Sequence, residues 1–361
     1  MSVSHVTPTT AMAALRSLAT NRTSLVLVFV FLLGGSLASR GDESVQFRSC
    51  VRRCREVERG ESDAAAAAAV VVVPRCHEDG ASAPEARVPF SWDCESECQY
   101  RCMWAIEGER ADQLSSHRPE KYFGKWPFVR LGPMQEPASV VLSLANLVAN
   151  GHCLVRLVRI VRSHSLSKRD RKAAKQLNRG RNARLWLVHF VLAVNAWTWS
   201  AVFHGRDLRV TERLDYFSAG AVMVFDVYLS CLRVSGVSNV PARLVALCAL
   251  VAAYGRHMYY MHFFKFDYGY HVCLCVAAGV AQSMLWIGWL LFSAEGRSHP
   301  GRRYLWAFVV GVNAAVLFEI LDFPPVWHAV DAHALWHLAT VPLQYVLWGF
   351  VSRDTSVNAI G

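Results

Sequence analysis

Two pairs of residues, each spaced four apart in an apolar stretch, carry side chains that could do chemistry. His333 and His337 lie at the start of one such stretch, and Ser200 and His204 lie at the end of another. Residues four apart share one face of a helix, about 5–6 Å apart at Cβ, which is the spacing of a two-histidine metal clamp. Histidine pairs on apolar helices more often pack than bind metal, so a metal site requires further ligands at the same place.

The composition indicates that these stretches belong to membrane-spanning helices. The chain has 361 residues, of which 53% are hydrophobic and 18% are charged, whereas a soluble domain has about 25% charged residues. The net charge of +10 is concentrated between Arg156 and Arg184, where eleven basic residues accompany one acid, Asp170. Such a block could bind nucleic acid, but between apolar runs it is better explained as a cytosolic loop under the positive-inside rule. Nucleic acid is therefore not an expected partner.

Hydropathy from Glu136 onward predicts seven spans, and therefore an all-α membrane protein built on a seven-transmembrane helix bundle. We predict the bundle domain over residues 134–352 and a cytosolic tail over residues 353–361. The predicted spans are about 137–156, 185–203, 216–234, 241–260, 269–293, 304–321 and 333–351.

The N-terminal part of the chain predicts a signal peptide followed by a disulfide-rich lumenal domain. Residues 1–38 combine a basic start, a short apolar run and small residues before a cleavage point after Ala38, although an uncleaved anchor helix is the alternative. Residues 39–133 contain six of the eleven cysteines, in the patterns C-x3-C and C-x3-C-x3-C. Because an oxidising lumen favours disulfides over a metal cluster, we expect three disulfides, whose pairing the sequence does not determine. The six cysteines are Cys50, Cys54, Cys76, Cys94, Cys98 and Cys102.

The predicted orientation brings the reactive side chains to one membrane depth. If the cysteine-rich domain is lumenal, the second span ends in the lumen with Ser200 and His204, and the seventh span begins there with His333 and His337. The third span begins at the same level with Asp215. Three imidazoles and a water are the ligand set of an open, catalytic zinc site, and ionisable groups at membrane depth usually mark function.

This set of residues predicts hydrolysis. Zinc lowers the pKa of a bound water to about 7, Asp215 could take and return the proton, and Ser200 could hydrogen-bond the water or the developing oxyanion. Ser200 as a nucleophile is an alternative that a metal-activated water makes unnecessary. Asp331 could cap the last helix, and His328, in a loop, is a spare ligand candidate. Three acidic residues compete with Asp215 for the role of base: Asp207, Asp322 and Asp331.

Three long blocks of the sequence resemble a known family. The pattern Ser200-x3-His204, Asp215, His333-x3-His337 is similar to that of the CREST superfamily of seven-span membrane hydrolases, which includes alkaline ceramidases and adiponectin receptors. Within that superfamily, the resemblance is to the post-GPI-attachment-to-proteins factor three (Per-like) family. The blocks that carry it are FGKWPFVRLGPMQEPASV (123–140), NAWTWSAVFHGRDLRVTERLDYFSA (195–219) and LDFPPVWHAVDAHALWH (321–337).

The resemblance implies a GPI-specific phospholipase A2 of the endoplasmic reticulum or Golgi membrane, with its active site facing the lumen. Such an enzyme removes the sn-2 acyl chain from the lipid of GPI-anchored proteins. The family's zinc ligands fall on His204, His333 and His337, and its serine and aspartate fall on Ser200 and Asp215. Three alternatives stay open: a ceramidase-like lipid amidase with the same site, a non-enzymatic receptor or escort for GPI-anchored proteins, and a transporter. The sequence shows no inverted repeat of the kind found in many transporters.

Overall fold

The structure is a computed structural model that describes residues 40–58, 92–113, 117–166 and 176–355. Within these ranges every regular element is a helix, and β pairing is limited to three isolated bridges. The predicted signal peptide, Cys76 and most of the predicted cytosolic tail lie outside the described residues. The helices are α1 (Val45–Glu58), α2 (Cys94–Gln113), α3 (Pro137–Leu166), α4 (Gln176–Gly205), α5 (Arg209–Ser235), α6 (Val240–Phe263), α7 (Tyr268–Phe292), α8 (Ala294–Ser298), α9 (Arg302–Leu321) and α10 (Ala332–Thr355).

Within the described residues, six helices are long and apolar enough to cross a membrane: α3, α4, α5, α7, α9 and α10. Each packs against its two neighbours in the order in which they are named here, which closes the six helices into a ring, and α4 also contacts α10. The all-helical fold and the multi-pass membrane character are thereby confirmed. Helix α6 forms over the predicted fourth span but is not among the six; it carries Arg243 and Arg256 and packs mainly against α5. The count of seven spans therefore stays a prediction.

Helices α1 and α2 form a small disulfide-linked unit, which we call the cap. The bonds Cys50–Cys102 and Cys54–Cys98 join the two helices. Because the cysteines on each helix are four apart, they share one helix face, as the C-x3-C spacing predicts. The apolar side chains that pack with these bonds are Phe47, Val51, Met103, Ile106 and Tyr122.

The third predicted disulfide is not found among the described residues. Cys94 carries an exposed free thiol. The two disulfides pair α1 with α2 in an antiparallel register. In that register, the residue of α1 opposite Cys94 is at position 58, which is a glutamate rather than a cysteine. The remaining cysteine of the N-terminal part, Cys76, lies outside the described residues.

Residues 117–136, which we call the connector, tie the cap to one end of the bundle. Phe123 and Gly124 have φ angles of 51° and 81°, and the two-residue turn with both central residues left-handed returns the chain from Tyr122 to Lys125. Asp322, at the end of α9, is held from the connector at both carboxylate oxygens. Oδ2 lies 2.5 Å from Lys121 Nζ, and Oδ1 accepts a bond of 3.0 Å from Trp126 Nε1. We call this end of the bundle the capped end.

The opposite end of the bundle is closed by a buried ion pair. Arg233, near the end of α5, donates from Nε to Asp354 Oδ1 of α10 over 2.8 Å, and its Nη2 lies 2.9 Å from Glu295 Oε1. The second oxygen of Asp354 accepts a bond of 3.1 Å from Trp186 Nε1 of α4. The apolar core of the bundle contains three aromatic rings whose centroids are 5.6–6.5 Å apart: Trp186, Trp286 and Phe350. The ring of helices is therefore fastened at the end away from the cap.

Candidate functional site

The three histidines singled out from the sequence meet at the capped end of the bundle. His204 comes from the last turn of α4, and His333 and His337 come from the first turns of α10. The Nε2 atoms of His204 and His333 are 3.2 Å apart, and one nitrogen of each imidazole lies within 4.8 Å of the others. His204 and His337 are buried, whereas the side chain of His333 is 34% exposed. This group could hold a metal ion.

Local signals in the sequence explain how α10 presents its two histidines. Asp331 precedes the helix, and its Oδ1 accepts a bond of 2.8 Å from the backbone N–H of Ala334, which makes it the N-cap. Burial raises the pKa of the Asp331 carboxyl to about 6. The loop before it is closed by a bridge between Val326 and Val330. The prediction that Asp331 could cap the last helix is thus what the structure shows.

Each imidazole is held at Nδ1 by another side chain. The Nδ1 partners are Glu136 for His204 at 2.8 Å, Glu319 for His333 at 2.5 Å, and Ser143 for His337 at 3.1 Å. Histidines that bind metal almost always donate their other ring N–H to a carboxylate or another acceptor, which fixes the tautomer and the ring orientation. With Nδ1 occupied in all three rings, Nε2 of each is left for a ligand.

Glu136 is held ionised by a lysine from the connector. Its Oε1 lies 2.5 Å from Lys125 Nζ, which is also 3.2 Å from Asp207 Oδ2. Burial alone would raise the pKa of the Glu136 carboxyl, but the charge of Lys125 outweighs burial and holds the pKa well below its usual range. An ionised Glu136 accepts the Nδ1 proton of His204. A chain of three side chains therefore runs from the connector to the histidine group.

Ser200 reaches the histidine group through a second serine. Ser143 Oγ of α3 lies 3.0 Å from Ser200 Oγ and 3.1 Å from His337 Nδ1. Both serines are buried. Asn146, one turn further along α3, donates from Nδ2 to the backbone carbonyl of His337 over 2.8 Å. Helix α3 thus contributes to the site although no residue of it was singled out from the sequence.

Asp215 lies near the same level, at the start of α5. It is 9% exposed, and its carboxylate makes no hydrogen bond to any residue that the structure describes. It lies within electrostatic reach of His333, Lys125 and Glu136. An unpaired carboxylate beside a histidine cluster is available to bind or transfer a proton.

The three rivals of Asp215 all have other partners in the structure. Asp207 pairs with Lys125, Asp322 pairs with Lys121 and Trp126, and Asp331 caps α10. The spare candidate His328 packs edge-on against Trp104, with ring centroids 4.8 Å apart, and is not part of the histidine group.

Three residues of the site were not predicted from the sequence: Glu136, Ser143 and Glu319. A signal for α3 was present nonetheless. Four polar residues of α3 recur at helical spacing along one face and are at most 1% exposed: Ser139, Ser143, Asn146 and Asn150. A polar stripe of this kind on an apolar helix indicates a face directed at polar partners inside the bundle.

Comparison with known proteins identifies the family. The model of the Per1-like family matches residues 84–355, which include every residue of the site. The chain belongs to the Per1-like family. The resemblance stated from the sequence motifs is therefore confirmed, and no solved structure is significantly similar to the chain.

Several relatives of this Per1-like chain align over nearly their whole length. A mouse protein named GPI-specific phospholipase A2-like PGAP3 is 32% identical over 92% of this chain and 95% of its own. The human protein of the same name is 32% identical over 90% of this chain and 93% of its own. The PER1 homolog of Schizosaccharomyces pombe is 34% identical over 89% of this chain and 88% of its own.

The donor set of this Per1-like site suits a metal ion with an open coordination position. Three neutral imidazoles are the ligands of many catalytic zinc sites, which leave a fourth position for water or substrate. Two of the three imidazoles are backed by carboxylates, as ligating histidines usually are. The residues present therefore fit a metal ion that prefers nitrogen ligands.

Proposed function

We propose that this chain is a zinc-dependent phospholipase A2 that hydrolyses the sn-2 acyl ester in the lipid of GPI-anchored proteins. The observation that carries the proposal is the convergence of His204, His333 and His337, each oriented through Nδ1, beside an unpaired Asp215. A zinc ion at these histidines would supply a Lewis acid that polarises the ester carbonyl and makes water acidic enough to attack at neutral pH.

The partners of the histidines set their chemical state. Glu136 and Glu319 accept the Nδ1 protons of His204 and His333, so that each Nε2 carries a lone pair. The negative charge behind each ring also raises its basicity as a ligand. These two glutamates are therefore positioning residues, which act on the substrate only through the imidazoles.

The order of donors and acceptors in the hydrogen bonds that lead to Ser200 indicates what its hydroxyl can do. If His337 binds through Nε2, its Nδ1 carries the proton and donates it to Ser143 Oγ. The Ser143 hydroxyl then donates to Ser200 Oγ, and the Ser200 hydroxyl keeps its own proton for a further acceptor. This polarity supports Ser200 as a donor to the developing oxyanion rather than as a nucleophile, because no base faces its proton within the chain of bonds.

Asp215 is the proposed proton carrier. Its carboxylate is free of hydrogen bonds to described residues, so it can accept a proton from the attacking water. The same proton can then pass to the leaving alkoxide of the glycerol. The buried position of Asp215 near His333, Lys125 and Glu136 supports this role.

Two observations support the proposed substrate and location. The relatives that align over most of this chain are named GPI-specific phospholipase A2-like. The cap that covers the site end contains two disulfides, and disulfides persist in oxidising compartments such as the lumen of the endoplasmic reticulum. We therefore assign the capped end to the lumenal side of an endoplasmic reticulum or Golgi membrane, where it would meet GPI-anchored proteins.

The decisive experiment combines metal content with turnover in purified protein. We expect zinc to co-purify with the wild type and to be lost in His337→Ala, while the exposed His262→Ala variant keeps it. Asp215→Asn should retain zinc but release fatty acid from a GPI-anchored protein about 100-fold or more slowly, because it cannot transfer the proton. Metal analysis and mass spectrometry of the anchor lipid provide the two readouts.

Three results would contradict the proposal. Turnover by Asp215→Asn at the wild-type rate would show that Asp215 is not the proton carrier. Zinc retained in His337→Ala would show that His337 is not a metal ligand. Hydrolysis of ceramide in place of the sn-2 ester would favour the amidase alternative. Because folding is monitored by the elution volume and the thermal unfolding midpoint of each variant, loss of structure is distinguished from loss of chemistry.

A further inference from the structure

An open cleft lies where the cap meets the connector. Half of its lining residues are aromatic, and most of the others are polar or charged. Sites that bind organic ligands have this composition, because aromatic surfaces contribute contact area while a few polar groups fix orientation. The aromatic residues of this cap cleft are Phe47, Tyr100, Tyr122, Phe123, Trp126 and Phe128.

Two cations line the cap cleft, and they differ in how their charges are neutralised. Lys125 lies against two carboxylates, at 2.5 Å from Glu136 and 3.2 Å from Asp207. Arg130 has a single, longer ion pair, with Glu97. The nearest carboxylate oxygen is Glu97 Oε2, at 3.6 Å from Nη1, and Nη1 makes no hydrogen bond.

The guanidinium of Arg130 is held between aromatic rings. Its Cζ lies 3.7 Å from the ring centroid of Trp92 and 4.2 Å from that of Tyr100, and its Nη2 donates to the backbone carbonyl of Ser96 over 3.3 Å. Stacking of this kind fixes the plane of the guanidinium. Its Nη1 is buried and has no hydrogen-bond acceptor, so it is the donor that a bound anion would satisfy. Burial lowers the pKa of Arg130 to about 10, so the group stays charged at neutral pH.

A second guanidinium increases the positive potential at the same place. Arg206 Cζ lies 4.7 Å from the ring centroid of Trp92, and Arg206 also pairs with Asp93 at 3.4 Å. Two guanidiniums that share one indole repel each other, and a bound anion would relieve this repulsion. Arginine is also the side chain whose planar fork matches two oxygens of a phosphate.

The cap cleft adjoins the histidine group. Gln135, which lines the cleft, donates from its backbone N–H to the carbonyl of Gly205 over 2.9 Å, and Glu136 donates likewise to His204 over 3.0 Å. Lys125, on the wall of the cleft, contacts Glu136, which orients His204. A headgroup held in the cleft would therefore lie beside the site at which we place ester hydrolysis.

We propose that the cap cleft binds the phosphorylated sugar or cyclitol headgroup of the lipid substrate, with Arg130 as the anion-binding residue and the aromatic lining against the sugar rings. This inference rests on the proposed function to the extent that the headgroup belongs to the lipid cleaved at the histidine group. Arg130 does not touch the ester in this arrangement, and its contribution is to binding.

The test is calorimetric binding to the full-length protein in detergent, which does not require turnover. The probes are myo-inositol 1-phosphate, mannose 6-phosphate, inorganic phosphate and methyl α-mannoside. We expect one or both phosphorylated probes to bind more tightly than inorganic phosphate or the uncharged sugar, and Arg130→Gln to weaken that binding about tenfold or more. Arg53→Gln, which removes the same charge from an exposed position of α1, should bind within twofold of the wild type.

Two further variants separate this inference from the proposed function and from misfolding. His337→Ala should bind the phosphorylated probes as the wild type does, even though it cannot hydrolyse an ester, so failure of the hydrolase proposal would leave this result intact. Arg130→Lys keeps the charge but loses the planar fork, and we expect binding at least threefold weaker, because lysine replaces arginine poorly at stacked sites.

Several outcomes would overturn the inference. Wild-type affinity in both Arg130 variants would exclude this residue as the anion ligand. Binding of inorganic phosphate as tight as that of the phosphorylated sugars would exclude a headgroup site, as would the absence of any probe binding to the wild type. If Arg130→Gln does not fold, as judged by its unfolding midpoint, wild-type affinity in Arg130→Lys is the outcome that overturns it.

Discussion

Glu319 and His333 form the shortest of the three contacts that orient the imidazoles, with Glu319 Oε1 2.5 Å from His333 Nδ1. His333 is the most exposed histidine of the group, so its orientation depends less on packing and more on this carboxylate. His204 and His337 are buried among neighbouring helices, so packing fixes their orientation even if their hydrogen bonds at Nδ1 are weaker. Of the three Nδ1 partners, Glu319 is therefore the one on which the orientation of its histidine depends most.

Replacement of Glu319 by glutamine should weaken metal binding while the fold is retained. Glutamine is close in size but carries no charge, so it orients the ring without raising the basicity of Nε2. Loss of such a partner typically costs about 10–100-fold in metal affinity. Competition with a chromophoric chelator measures the affinity, and Glu109→Gln, at an exposed position of α2, is the matched control. Unchanged affinity in Glu319→Gln would show that its contact with His333 does not support a metal ligand.

The reactive residues could be predicted from the sequence, and most of their supports could not. His333, His337, Ser200 and His204 are apparent because helical spacing relates residues four apart. Contacts such as Ser143 with His337 join residues 194 positions apart, and no local period encodes which turn of α3 faces which turn of α10. Glu136 was hidden for the same reason, since its partner His204 lies 68 positions away.

At the scale of elements, α10 connects the two ends of the bundle. Its first turns carry His333 and His337, and its last turn carries Asp354, whose side chain is 1% exposed and paired with Arg233. Removal of one member of a buried ion pair leaves the other charge unpaired, which typically costs about 3–5 kcal/mol. Glu295 also contacts Arg233, so part of the charge would stay neutralised.

We expect Asp354→Asn to lower the thermal unfolding midpoint by several degrees without loss of metal, because the pair lies at the end opposite to the histidine group. Differential scanning fluorimetry with metal analysis of the same sample tests both parts. Arg302→Gln, at an exposed position of α9, serves as the control for a loss of charge at that end. An unchanged midpoint would mean that Glu295 alone is enough to neutralise Arg233.

Helix positions were largely predictable because apolar runs of about 20 residues are the strongest signal that a membrane helix leaves in a sequence. All seven predicted spans are helical, but α6 is set apart by its arginines and by packing mainly against α5. The ring order of the other six could not be predicted. It depends on matching side chains between helices, which hydropathy does not describe.

At the scale of the whole molecule, the two disulfides hold the two helices of the cap together. They join α1 to α2 with sequence separations of 52 and 44 residues. Loss of a native disulfide from a small domain costs about 2–5 kcal/mol. The apolar core of the cap is small, so we expect it to depend on these bonds.

The double variant Cys54→Ser/Cys98→Ser should therefore expose the cap to proteolysis and abolish binding of the phosphorylated probes, while the bundle keeps its metal. Limited proteolysis followed by mass spectrometry, together with metal analysis, distinguishes the two units. The free thiol variant Cys94→Ser, which breaks no bond between described residues, is the control. Loss of metal in the double variant would contradict the expectation that the histidine group does not depend on the disulfides of the cap.

The contact of Lys125 with Glu136, and of Glu136 with His204, also determines which parts of this protein can be exchanged between relatives. A junction placed at residue 133, where composition changes from polar to apolar, would separate Lys125 from the glutamate that it holds ionised. A chimera built there would take Lys125 from one relative and Glu136 from another. Tyr122 of the connector packs in the core of the cap and donates to Glu107 of α2. A graft that moves the cap should therefore keep residues 117–136 with the bundle and also preserve the cap residues that contact Tyr122.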